Sequence, residues 1–141
     1  MTPSKDCFDL IKESESCELT AYLDPIGIPT IGWGHISGVK LGDVITQEQA
    51  DEWLVEDVGT AARAVTKYVK VSMTQGQFDA LVDFTFNLDA GSLYRSTLLR
   101  KFHAGRIEDA AGEFDKWIYA KGKVLPGLVT RRAKEKELFL T

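Results

Sequence analysis

Glu15, Asp24 and Thr30 stand in the spacing E-x8-D-x5-T within the run ESCELTAYLDPIGIPTIGWGH. Cleaving a glycosidic bond needs a carboxylic acid to protonate the leaving oxygen and a second carboxylate on the other side of the sugar. Glu15 and Asp24 can fill those roles. Thr30 adds a hydroxyl that both donates and accepts, so it can hold a water beside Asp24 for attack on the anomeric carbon. That third group favours direct displacement by water. The chain holds 21 acidic residues, so the triple alone is weak, and its specificity comes from the words around it.

Those residues need elements to position them. Ser4 to Ser14 reads as a short amphipathic helix with Phe8, Ile11 and Leu10 on its inward side, which puts Glu15 just past its C-terminus. A helix C-terminus carries partial negative charge, a setting that favours a neutral acid. From Leu19 to about Val44, β-branched residues and repeated glycines predict short twisted strands joined by tight turns. Here Thr30, Gly32 and Gly34 alternate against Ile31, Trp33 and His35, predicting a thin face that lies close to a sugar, with Gly32 among the binding positions.

Helices follow. Thr46 and Gln49 form a capping-box pattern before a helix running to about Tyr68, long enough to bridge two lobes. Thr74 and Gln77 repeat the pattern before an apolar face wide enough to be central. Further helices are predicted over Leu93 to Ala104, Ile107 to Trp117, and Pro126 to about Leu140. The fold class is α+β, with strands confined to a small N-terminal region. One domain is expected over 1–141, with helix and sheet to about 45 and a helical lobe from about 46.

At 141 residues and 44% hydrophobic, the chain can bury a sizeable core without staples. Cys7 and Cys17 are too few for a disulfide framework and read as reduced core thiols. Residues 1–60 carry 3 basic and 12 acidic side chains, and residues 61–141 carry 14 and 9. Such an asymmetry names no partner by itself and reads first as a solvated surface with opposite-signed lobes. With two histidines and no C-x2-C spacing, neither metal nor cofactor is expected. The G-x-G at Gly32 to Gly34 opens no phosphate-binding helix, and no nucleic acid is expected. No signal peptide is read in the first residues, and no window reaches the ~20 apolar residues of a membrane span.

The words TAYLDPIGIPTIGWGH at 20–35, TQGQFDALVDFTFN at 74–87, STLL at 96–99 and GLVTRRAKE at 127–135 cover most of the chain. Together they resemble the phage-type lysozymes of glycoside hydrolase family 24, the T4-like endolysins. The resemblance implies a lysozyme-like fold with a cleft between the sheet lobe and a larger helical lobe. It implies hydrolysis of the β-1,4 bond between N-acetylmuramic acid and N-acetylglucosamine in peptidoglycan. Glu15 matches the general acid, Asp24 the second carboxylate and Thr30 the water-holding hydroxyl. Asn87 matches a cleft-lining amide, although a helix C-cap reads equally well from sequence. Arg132 matches an arginine that pairs with the acid and orients it, a pairing that opposes the neutral form.

The same resemblance implies a monomer made in the host cytoplasm and reaching the wall in the periplasm through a holin. Two departures stand out, because Ser16 replaces a glycine after the acid and His103, Ala104, Gly105 replace an Asn-x-Gly. The alternatives are a lytic transglycosylase, against which Asp24 and Thr30 argue, and an inactive peptidoglycan-binding protein. Inversion is the expected outcome, with carboxyls ~6.5 to 9.5 Å apart. His35 reads as a structural ion-pairing residue at a lobe contact, Trp53 and Trp117 as core, and Trp33 is open.

Overall fold

The computed structural model describes all 141 residues. Helix α1 (Lys5–Ser14) buries Cys7, Leu10 and Ile11, while Phe8 is half-buried at the edge of the core. Its start is fastened from outside the helix. The Ser4 backbone N–H donates to Asp79 Oδ1 at 3.0 Å, the Ser4 hydroxyl donates to Asp79 Oδ2, and Asp79 is buried. A buried carboxylate so engaged satisfies orphan donors at a helix end. At the other end Glu15 is the C-cap, with its N–H donating to the Ile11 carbonyl at 2.7 Å. Ser16 is not in the left-handed region, so a serine fits where the family resemblance places glycine.

Strands β1 (Glu18–Leu23) and β2 (Pro29–Gly32) pair antiparallel, with Tyr22 opposite Thr30 and Leu23 opposite Pro29. Thr20 bridges Val44, extending the small sheet. The alternation expected from Thr30 to His35 stops at Gly32. Gly32 at φ +64° and Gly34 at φ +82° turn the chain back, so that Ile31 faces His35 across an isolated bridge.

Helix α2 (Gln47–Tyr68) begins at Thr46, whose hydroxyl accepts from the Gln49 N–H at 3.1 Å. Its first turns lie against β2 and its length continues along α3 (Gln75–Leu88), so it joins the two lobes. α3 carries the full capping box of Thr74 and Gln77. Phe78, Leu81, Val82 and Phe84 on it have no exposed surface. Packed by α1, α2 and the terminal helix α7 (Pro126–Phe139), it is the axis of the helical lobe. Burying each such side chain contributes roughly 1.5–3 kcal/mol.

The predicted helix over Leu93 to Ala104 is two helices, α4 (Ala90–Arg95) and α5 (Thr97–His103). Ser96 makes the break, accepting from the Leu99 N–H at 3.0 Å and donating to the Leu93 carbonyl at 2.8 Å. A serine at that position offers the backbone a cap in place of another helical turn. At the end of α5, His103 Nε2 accepts from the Lys70 N–H at 3.0 Å, and Gly105 keeps φ +77°. α6 (Ile107–Glu113) ends four residues before Trp117, continuing as a 3-10 turn over Phe114–Lys116.

Strands are not confined to the N-terminal region. β3 (Tyr119–Ala120) and β4 (Lys123–Val124) form a second antiparallel pair around Lys121 and Gly122, both at positive φ. Two-residue strands show no alternation to read, and only the Lys-Gly turn marks them. Trp117 is half-buried, edge-on to Phe84 at 5.3 Å. Trp53 leaves the core reading altogether and stacks on His35 at 4.2 Å. Cys7 is a buried thiol and Cys17 a partly exposed one beside Gln47, and both are free.

Candidate active site

Between the sheet lobe and the helical lobe runs a cleft of about 510 Å³, a volume in the range of ligand sites. Its walls come from the β1–β2 turn, the middle of α2 and the C-terminal end of α3. Glu15, Asp24, Thr30 and Asn87 all line it.

Each acidic group is held by backbone or by a buried cation. Asp24 closes the β1–β2 turn on itself, with Oδ1 accepting from the Ile26 N–H at 2.9 Å and the Ile28 N–H at 2.8 Å. Such a turn fixes the carboxylate plane and leaves Oδ2 as an acceptor. Thr30 is buried, and its hydroxyl donates to the Ile28 carbonyl at 2.8 Å. With its proton committed there, the remaining lone pairs of Oγ1 can accept from a water.

Glu15 Oε2 accepts from Arg131 Nη1 at 2.6 Å. The arginine that pairs with Glu15 is therefore Arg131, not Arg132. Successive helical residues point about 100° apart, so adjacent arginines on α7 serve different neighbours. Arg131 also grips Asp83, with Nε to Oδ2 at 2.9 Å and Nη2 to Oδ1 at 2.7 Å. Burial works against both charges, but their mutual attraction outweighs it. Asp83 is thereby held below the usual carboxylate range and the Arg131 cation is reinforced.

Arg132 is fully buried and touches no cleft space. It donates from Nη1 to Glu135 Oε1 at 2.7 Å and from Nη2 to Asn87 Oδ1. Asn87 itself lies inside α3, which runs on to Leu88, so it is not the C-cap. With its oxygen held from behind, the amide N–H2 remains as a donor toward the cleft.

Gly32 does not line the cleft either. A side chain there would meet Ala50 Cβ at 3.3 Å, on α2. The glycine that faces the site is Gly34, where a Cβ would sit 2.8 Å from Glu15 Oε1. The positive φ at each has no periodic signature, and only the density of glycines points to turns here.

Two cleft residues carry no sequence signal of their own. Tyr22 pairs with Thr30 across the strands, and burial, followed by the carboxylates of Glu15, Glu18 and Asp24, pushes its phenol up. Asp57 accepts or shares a proton with His35 Nδ1 at 2.7 Å, while His35 Nε2 meets the Ser37 carbonyl at 3.1 Å. His35 is thus the lobe-contact residue that its position suggested. Trp33 lies outside the cleft, donating to Asp51 at 2.9 Å with Lys12 over its ring. No group of three or more His, Cys, Asp or Glu side chains has metal-holding geometry.

Fold and cleft together define a lysozyme-like glycoside hydrolase. Residues 12–135 match the phage lysozyme family, and the chain belongs to that family. It is 43% identical, over 134 residues and 92% of both chains, to an endolysin of Acyrthosiphon pisum secondary endosymbiont phage 1. It is 44% identical to an endolysin of Bacillus phage B103, and spans 55% of that longer protein. Among solved structures it resembles the muramidase domain of SpmX from Asticaccaulis excentricus, with a TM-score of 0.88, 38% identity, and 99% and 98% of the two chains covered.

Proposed function

We propose that this endolysin hydrolyses the β-1,4 bond between N-acetylmuramic acid and N-acetylglucosamine, and that it falls within glycoside hydrolase family 24. The observation that carries this reading is the convergence of Glu15, Asp24 and Thr30 on one cleft. In this reading Glu15, in its neutral form, gives its proton to the glycosidic oxygen as the bond to the anomeric carbon breaks. A water held by Asp24 Oδ2 and Thr30 Oγ1 attacks that carbon from the opposite face and gives its proton to Asp24. The product has inverted configuration, and a proton returns from Asp24 to Glu15 through solvent.

Asn87 offers its amide donors to an acetamido carbonyl or a hydroxyl of the bound sugar. Arg131 aims the Glu15 carboxyl and stays charged throughout. The same reading has the chain act as a monomer on the wall, reached through a holin.

The test is turbidity loss of outer-membrane-permeabilised Gram-negative cells, with mass analysis of the released muropeptides. The parent clears the cells and yields products carrying one added water, while folded Glu15→Gln does neither. Anhydro ends would replace hydrolysis by transglycosylation. Wall binding without clearing by the parent would replace catalysis by a binding role.

A further inference from the structure

Beneath the cleft, two arginines and two carboxyl groups form a chain with almost no exposed surface: Asp83, Arg131, Arg132 and Glu135. Its two ends emerge at Glu15 and at Asn87. The hydrogen bonds do not close if Glu135 is a carboxylate. Its Oε1 accepts from Arg132, but no protein group donates to its buried Oε2, and Arg131 spends all its contacts on Asp83 and Glu15. An ionised oxygen left so in a dry interior is costly. Asp83 is the other carboxyl group buried in the same chain, its charge acts against ionisation of Glu135, and two carboxylates cannot hydrogen-bond to one another.

We propose that Glu135 is folded into the core as a neutral carboxylic acid whose Oε2–H donates to the Asp83 carboxylate, which makes it a positioning residue for Glu15. Both oxygens of Glu135 and both of Asp83 then have partners, and the buried group carries one carboxylate fewer beside its two arginines, with the Arg132 Nε–H the one donor left without an acceptor. The titratable and charged groups facing Glu135 are Asp83 on α3, Cys7 on α1, and Arg131 and Arg132 on its own helix. Burial first, and Asp83 next, push its carboxyl well above the ordinary range, and the two arginines only partly offset them.

The consequence for the site follows from sharing. A hydrogen bond from Glu135 draws charge density off Asp83, and so weakens its hold on Arg131, leaving the guanidinium free to serve Glu15. Only this last step rests on Glu15 being the acid of the reaction.

Two measurements need no activity. With carbon-13-labelled glutamate, the protein at neutral pH shows the infrared band of a protonated carboxyl; it persists in Glu15→Gln and vanishes in Glu135→Gln. Between about pH 5 and 7 the parent's folding equilibrium constant falls up to about tenfold per pH unit, because the unfolded chain releases a proton that the folded one keeps. Glu135→Gln, which copies the neutral acid, loses that slope. A parent without the band, or parallel curves for the two proteins, overturns the proposal, and the infrared band of the parent decides the matter even if the variant fails to fold.

The positioning step is read from the pH profile of wall lysis. Glu135→Gln leaves the basic limb in place, whereas Glu135→Ala moves it to higher pH as Asp83 draws Arg131 away from Glu15. If both variants move the limb to lower pH, the glutamate was a charge and the proposal fails. Loss of all lysis in Glu15→Gln and parent alike would fail the catalytic reading, while the protonation of Glu135 would still be decided by its infrared band.

Discussion

Arg131 ties Glu15 to Asp83 by spending different nitrogens on each, Nη1 on the partly buried partner at the cleft and Nε with Nη2 on the fully buried one. The planar fork is what allows one side chain to do both. Arg131→Lys is expected to fold with reduced stability and to lose at least about tenfold in lysis rate, since an ammonium cannot keep both contacts in plane. Arg131→Met leaves Asp83 buried without its cation and is expected to cost about 3–5 kcal/mol. Denaturant unfolding beside turbidity assays checks both, and a fully active Arg131→Lys would detach the arginine from the aiming of Glu15.

Gly34 and Gly38 share a left-handed backbone, at φ +82° and +69°, but only Gly34 has a neighbour to collide with. Alanine at either is strained by about 1–2 kcal/mol. Gly34→Ala is expected in addition to displace the Glu15 carboxyl, 2.8 Å from the new carbon, and to remove most activity. Gly38→Ala loses comparable stability and keeps its rate. Equal rates in the two variants would show that Glu15 moves freely without consequence.

For Asp24, the amide in Asp24→Asn retains an oxygen for the Ile26 and Ile28 N–H groups, so the turn is expected to survive. What disappears is the charge facing the cleft, and the rate is expected to fall roughly 100-fold or more, in line with loss of a general base. Thr30→Ser keeps the bond to the Ile28 carbonyl and much of the activity, whereas Thr30→Val does not. Steady-state rates on purified wall fragments decide it, and an active Thr30→Val would remove the hydroxyl from water positioning.

Asp83 gives the acid side of the stability curve a defined sign. Burial pushes its carboxyl up, but the charge of Arg131 and the two hydrogen bonds that Arg131 donates more than reverse that, so its folded form holds its proton less tightly than the unfolded one. Its contribution is present above the unfolded value of about 3.9 and is lost as pH falls through the lower folded value. Asp83→Asn is expected to be much less stable at neutral pH, and its curve to approach the parent's in acid. Curves that stay a fixed distance apart down to unfolding would contradict the ion pair.

What sequence made legible was set by how local each signal is. Thr46, Thr74 and Pro126 announce their helices because capping and proline chemistry act within one turn. Glu15, Asp24 and Thr30 could be found because they lie within sixteen residues of each other, in one helix end and one hairpin. Asp83 and Glu135 were invisible as site residues: they meet only once α3 and α7 pack, and an acidic residue on a helix usually faces water. Sequence does not distinguish Arg131 from Arg132 for a related reason, since which of them meets Glu15 depends on the rotation of α7 about its own axis, which adjacent identical residues do not reveal. Ser96 was readable in principle as a cap, but the apolar spacing on either side continued smoothly through it.

Gly32 has a consequence for the shape of the cleft as a whole. Its bare backbone rests on Ala50 of α2, with a side chain there meeting Ala50 Cβ at 3.3 Å. The separation of sheet and helix is therefore gauged by an atom that is missing. Anything larger at this position would press on α2 from a strained backbone, and β2, which carries Thr30, would have to give by a few tenths of an ångström. A single glycine that does not touch the cleft thus decides how closely the strand bearing Thr30 and the helix beneath it are allowed to approach.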